Sequence, residues 1–121
     1  MIHLNDDRPI FLQIAEGIKE SIITGTFAEE TQIPSITEFS VTYKINPATA
    51  LKGINLLVDE GIVYKKRGLG MFVSEGAATK LLGERKEQFF DRYIKEMLEE
   101  AKRLNLTQED LVNLIERGLG E

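Results

Sequence analysis

From Ile33 to Val73 the chain reads as two separately capped helices joined by a tight turn, followed by two short β-prone runs around a pair of glycines. Ser35 and Glu38 have capping-box spacing, in which the hydroxyl accepts the Glu38 amide hydrogen and the carboxylate accepts that of Ser35. The β-branched pair Val41 and Thr42 weakens this helix before the turn. Asn46 is placed to cap the next helix through its N2 or N3 amide, and Pro47 fills a first turn where no donor is required. Ala50, Leu51, Ile54, Leu57 and Val58 form one apolar stripe, predicted to be buried, and Gly61 stands where a left-handed C′ residue ends a helix. Ile62 to Lys66 and Met71 to Ser74 then flank Arg67-Gly68-Leu69-Gly70, whose glycines allow positive φ and so predict a hairpin.

The flanking segments supply helices. Ile10, Ile14, Ile18 and Ile22 recur every four residues, with Phe11 and Ile23 beside them, and predict an amphipathic helix from about Pro9 to Thr24 that Gly25 stops. Phe27 to Ile33 is a connector with room for a brief strand pairing, which Pro34 ends. Beyond the hairpin, Leu81, Leu82, Phe89, Phe90, Tyr93, Ile94, Met97, Leu98, Ala101 and Leu104 predict a long amphipathic helix from about Gly83 to Leu104, with an earlier turn at residues 77–82. Thr107 and Asp110 open a last helix in which Leu111, Leu114, Ile115 and Leu119 are expected to face inward.

These elements predict a mainly α fold with a small β-hairpin: a winged helix-turn-helix over residues 1–76, followed by a short helical hairpin over 77–121. At 121 residues the chain is expected to hold one core and no large sensor domain. It has no cysteine, no apolar run of membrane-spanning length and no apolar start of the signal-peptide kind, so a cytoplasmic location without membrane association is expected. The net charge of −5 disfavours indiscriminate coating of nucleic acid. Between Ser40 and Gly76, however, five basic residues (Lys44, Lys52, Lys65, Lys66 and Arg67) face three acidic ones, Asp59, Glu60 and Glu75.

In a winged helix-turn-helix the third helix enters the major groove with its first turn foremost. Asn46, Ala48, Thr49 and Lys52 occupy that part of the sequence. Thr49 and Lys52 offer donors to phosphate or base edges, Ala48 offers a methyl to thymine, and Asn46 serves chiefly as a cap. Ser35, Ile36 and Thr37 form an anion-favouring helix N-terminus, with Ser35 and Thr37 as candidate phosphate contacts. On the hairpin, Lys65, Lys66 and Arg67 supply charge, while Gly68 and Gly70 let the backbone approach DNA closely. Catalysis has little to stand on: His3 is the single histidine and lies near the N-terminus, and the Glu96, Glu99 and Glu100 group reads as a solvated face. No metal or cofactor is expected. The aromatic run Phe89, Phe90, Tyr93, Ile94 and Met97 carries more apolar area than one short helix would cover, which favours a homodimer pairing through the tail.

These residues resemble the GntR family of bacterial transcription regulators, and within it the small YtrA-like subfamily. The resemblance rests on Pro9-Ile10-Phe11-Leu12-Gln13-Ile14, Ile33-Pro34-Ser35, Ile45-Asn46-Pro47-Ala48-Thr49, Glu60-Gly61, and Lys66-Arg67-Gly68-Leu69-Gly70-Met71-Phe72-Val73, all in family order. It implies a homodimeric repressor of double-stranded operator DNA, often near genes for an ATP-driven membrane transporter, with an effector that is absent or unreadable from sequence. The family's DNA contacts carry over to Ser35, Thr49, Lys52, Arg67, Gly68 and Gly70. Thr37 stands where an arginine is common, Leu69 where the wing tip is often basic, Glu30 where the connector usually has glycine, and Ala48 where a polar residue is expected. An arginine's bidentate fork has no substitute in threonine, so fewer direct donors to DNA remain.

Two other readings compete. One is a winged helix that serves protein interaction, with weak or lost DNA binding. The other is an effector-sensing regulator in which Tyr93 and the nearby phenylalanines line a small pocket in the tail.

Overall fold

The computed structural model describes residues 2–121 and divides into two compact units, Met1–Leu82 and Gly83–Glu121. In the first unit, α1 (Ile10–Ile23), α2 (Ile36–Tyr43) and α3 (Pro47–Asp59) precede an antiparallel pair, β1 (Val63–Lys66) and β2 (Gly70–Val73), and the start of α4 (Ala77–Phe89). Ile14, Ile18 and Ile22 of α1 meet Phe39 of α2, Ile54 and Leu57 of α3, and Ile62, Val63 and Val73 of the hairpin in one core. Ala77 and Leu81 close that core from α4.

Local chemistry sets the element boundaries. The Ser35–Glu38 capping box is formed in both directions, and the Asn46 side chain accepts the Ala48 amide hydrogen at 2.8 Å. Gly61 takes a φ of 75° just past α3, as a C′ glycine does. Helices α1 and α3 cross closely at Gly53, where a Cβ would lie 2.7 Å from the Phe11 carbonyl oxygen. This close approach fixes which face of α3 is buried.

The connector before α2 runs along β2. Glu30 and Ile33 donate backbone hydrogen bonds to Val73 and Met71, and Val73 donates to Thr31, with Gln32 opposite Phe72. The brief strand pairing expected between Phe27 and Ile33 is therefore present at its end, and Pro34 follows it directly.

In the second unit the long helix departs from its expected form. There α4 ends at Phe89 and gives way to a π-turn over Phe90–Ile94 before α5 (Lys95–Arg103) and α6 (Gln108–Leu119). The π-turn adds one residue between apolar positions on either side of it, which a simple 3.6-residue period does not anticipate. Thr107 and Asp110 form the reciprocal cap of α6. The inward orientation expected of α6 is not found for three of its four residues: Leu114, Ile115 and Leu119 are exposed and only Leu111 is partly covered. An apolar stripe announces that a face seeks cover but not which surface supplies it.

Candidate nucleic-acid interface

Helix α3 buries Ala50, Gly53, Ile54 and Leu57 and leaves Ala48, Leu51, Lys52 and Asn55 exposed. Leu51 departs from the expected buried stripe; it is 39% exposed, because the tight crossing at Gly53 turns the helix so that Leu51 lies at the stripe's edge. Asn55 was not anticipated as a site residue. Its signal is positional, seven residues from Ala48 and three from Lys52, on the same helical face. A shallow groove runs along this face between Ala48, Leu51, Lys52, Asn55, Leu56 and Asp59.

The polar residues at the helix starts keep spare hydrogen-bonding capacity. Ser35 Oγ accepts the Glu38 amide hydrogen at 3.0 Å, a role that leaves the hydroxyl hydrogen available to an acceptor. Asn46 uses its carbonyl oxygen for the cap, which leaves its amide NH2. Thr37 is exposed on the first turn of α2, and Thr49 is half-buried in α3. The Lys52 ammonium lies 4.0 Å from the centroid of the Phe11 ring, on an exposed cation–π contact worth about 0.5–1 kcal/mol. Any phosphate contact by Lys52 competes with that arrangement.

On the hairpin, the Leu69 amide donates to the Lys66 carbonyl, closing a four-residue turn in which Gly68 has a φ of 77°. A positive φ at the third residue of such a turn is the requirement that glycine meets. Lys65 and Arg67 are exposed, with no ion-pair partner for either among the described residues. The Lys66 ammonium instead sits 4.3 Å from the Phe72 ring centroid. Gly70 is held by packing: at its φ of 124° a Cβ would lie 2.5 Å from Gln32 Nε2, and that amide donates to the Leu69 carbonyl at 2.7 Å. Gln32 thereby anchors the hairpin tip. Sequence reasoning missed it, because the partners are 37 residues apart and no local pattern links them.

Glu30 and Tyr64 form a second tie at the hairpin's base. The Tyr64 hydroxyl donates to Glu30 Oε2 at 2.8 Å, which raises the tyrosine's pKa because the donated proton is held against a carboxylate. Glu30 itself has a φ of 64°, the left-handed conformation that favours glycine.

In the second unit, Phe89, Phe90 and Tyr93 are each more than half exposed, at 52%, 52% and 57%, while Ile94 and Met97 are partly covered. Phe89 and Tyr93 lie with ring centroids 5.5 Å apart. The Arg92 guanidinium and the Lys95 ammonium approach the Tyr93 and Phe90 rings, and Lys95 also pairs with Asp91 at 2.9 Å. Among the described residues there is no cluster of His, Cys, Asp and Glu able to hold a metal ion, and no helix long and apolar enough to cross a membrane.

Comparison with known proteins agrees with this arrangement. The model of the bacterial regulatory proteins of the gntR family matches residues 11–73, from the start of α1 to the end of β2. The chain is 29% identical over 105 residues to YhcF, an uncharacterized HTH-type transcriptional regulator of Bacillus subtilis (strain 168), covering 87% of this chain and 85% of that protein. It is 32% identical over 93 residues to the HTH-type transcriptional repressor YtrA of the same organism, covering 77% and 71% of the two chains. A GntR family transcriptional regulator from Listeria monocytogenes superposes with a TM-score of 0.78 over 94% of this chain and 98% of that one; at 24% identity this likeness speaks to the fold. A helix-turn-helix with an exposed third helix and a glycine-tipped hairpin, matched by the family model from α1 through β2, places the chain in the GntR family of DNA-binding transcription regulators.

Proposed function

We propose that the protein is a homodimeric repressor of the YtrA-like kind, with residues 1–76 reading double-stranded operator DNA and residues 77–121 pairing two copies. The observation that carries the DNA contacts is the exposed outer face of α3, with Lys65 and Arg67 on the hairpin, which have no ion-pair partner among the described residues, adding charge. In this reading Ser35, Thr37, Asn46 and the Gly68–Gly70 tip position the phosphate backbone, while Ala48, Thr49 and Lys52 meet base edges or phosphates. Similarity to the repressor YtrA over most of both chains supports the repressing role. The exposed aromatic run Phe89, Phe90 and Tyr93, continued by Ile94 and Met97, supports pairing through the tail. Twofold symmetry would then match a palindromic operator.

Two variants test the DNA contacts. Arg67→Ala and Lys52→Ala are expected to weaken binding to operator DNA without loss of helix content, and each to reduce the salt dependence by about one ionic contact. Arg67→Ala should cause the larger loss, since Lys52 must leave the Phe11 ring to reach DNA. Wild-type affinity for both variants at low and at moderate salt would contradict the assignment. For pairing, sedimentation equilibrium across micromolar concentration is expected to give twice the chain mass, and Phe89→Glu with Tyr93→Glu to give the single-chain mass. A single-chain mass for the unmodified protein would refute the dimer.

A further inference from the structure

The outer face of α3 is unusual for a surface meant to meet DNA, because its middle is hydrocarbon. Ala48 and Leu51 are one turn apart on that face, both exposed, and Asn55 follows one turn later. The cation beside them, Lys52, has its ammonium against the Phe11 ring. In the major groove one base feature gains from meeting an apolar side chain, the C5-methyl group of thymine. A purine or cytosine edge against Leu51 would lose its hydrogen bonds to water and receive none in return.

We propose that Leu51 is a specificity-determining residue that selects thymine in each half-site, packing on its methyl group one base step from the position met by Ala48. The proposal rests on the reading that α3 enters the major groove, and it adds the base chemistry that this helix accepts. It also accounts for an exposed leucine on a helix whose other large apolar residues, Ile54, Leu56, Leu57 and Val58, are buried or partly covered. Asn55, the next polar group along the same face, is placed to bound the apolar strip with a donor and an acceptor.

The test uses the intact chain and the tightest duplex recovered by selection from random DNA, with each thymine replaced in turn by deoxyuridine, which lacks only the methyl group. Loss of one buried methyl corresponds to about a fourfold weaker Kd. The expected result is such a loss at one or two thymines per half-site. In Leu51→Ala, whose position on the surface preserves the fold, the loss should vanish at one of these positions and persist at any read by Ala48. Binding that is indifferent to every thymine methyl, or a Leu51→Ala variant that keeps every penalty, would overturn the assignment while leaving DNA binding intact. Failure of any duplex to bind would overturn the groove reading as well, so the two failures are separable.

Discussion

Glu30 holds a left-handed φ of 64° while its carboxylate accepts the Tyr64 hydroxyl at 2.8 Å, so one residue both strains the connector and ties it to the hairpin. A left-handed non-glycine residue costs about 1–2 kcal/mol, which explains the glycine that the family resemblance leads one to expect at this position. Once the tie is removed by Tyr64→Phe, Glu30→Gly should raise stability by about 1 kcal/mol in urea unfolding. In the wild-type background the gain should be smaller, since the same change also removes the hydrogen bond. A destabilising effect of Glu30→Gly in the Tyr64→Phe background would show that the strain is not there.

The same pair predicts a pH effect. Glu30 raises the Tyr64 pKa above its unfolded value, so the stabilisation is fully present below the unfolded tyrosine pKa and is lost as pH rises through the folded one. Melting temperatures between pH 8 and about pH 11 should therefore fall more steeply for the wild type than for Tyr64→Phe. Parallel curves would rule out the coupling.

Gly53 invites a contest between helix propensity and packing. Alanine is about 1 kcal/mol better than glycine inside a helix. Its Cβ, however, would press on the Phe11 carbonyl oxygen at 2.7 Å and on Ile14 at 3.3 Å, and backbone cannot yield as a flexible side chain does. Overpacking of this kind costs about 1–3 kcal/mol, so Gly53→Ala should be net destabilising by about 1 kcal/mol or more. A stabilised variant would mean that α1 and α3 are farther apart than described.

Among the described residues the buried Tyr43 hydroxyl has no hydrogen-bond partner, and its ring stacks beside that of Phe39. Removing an unsatisfied buried group relieves a desolvation cost of about 1–3 kcal/mol at most, so Tyr43→Phe should leave stability unchanged or raise it. A loss above about 1 kcal/mol would reveal a partner for the hydroxyl.

At the far end of the chain, Asp110 is held below its ordinary pKa by the Thr107 backbone amide and, secondly, by the Thr107 hydroxyl. A lowered carboxylate pKa contributes stability that is present above the unfolded value and lost as pH falls through the folded one. Amide exchange in the first turn of α6 should accelerate on acidification of the wild type, while Asp110→Asn should be frayed already at neutral pH. Equal protection of the two proteins at neutral pH would refute the cap.

How legible these features were depended on the range of the interaction. The caps at Ser35, Asn46 and Thr107, the stop at Gly61 and the glycine turn of the hairpin are settled within four or five residues, and each is formed as the sequence predicts. The Gln32 anchor and the Glu30–Tyr64 tie join residues 37 and 34 positions apart, and no local periodicity carries them. Leu51 differs from its pattern for another reason. An apolar residue at the edge of a stripe reads as buried until the partner helix sets the rotation, and that rotation follows from one glycine contact, Gly53 on Phe11. The exposed Leu114, Ile115 and Leu119 mark the same limit on α6, where amphipathicity is evident and its cover is not.

If the α3 face and the hairpin of two paired copies read a specific duplex sequence, that sequence is recovered by selecting bound fragments from sheared genomic DNA. A pseudo-palindrome whose half-site centres lie about one helical turn, or a multiple of it, apart should be strongly enriched. That enrichment should be lost in Arg67→Ala. Recovery of fragments without a common motif, or of the same motif undiminished in Arg67→Ala, would contradict specific reading by the paired copies.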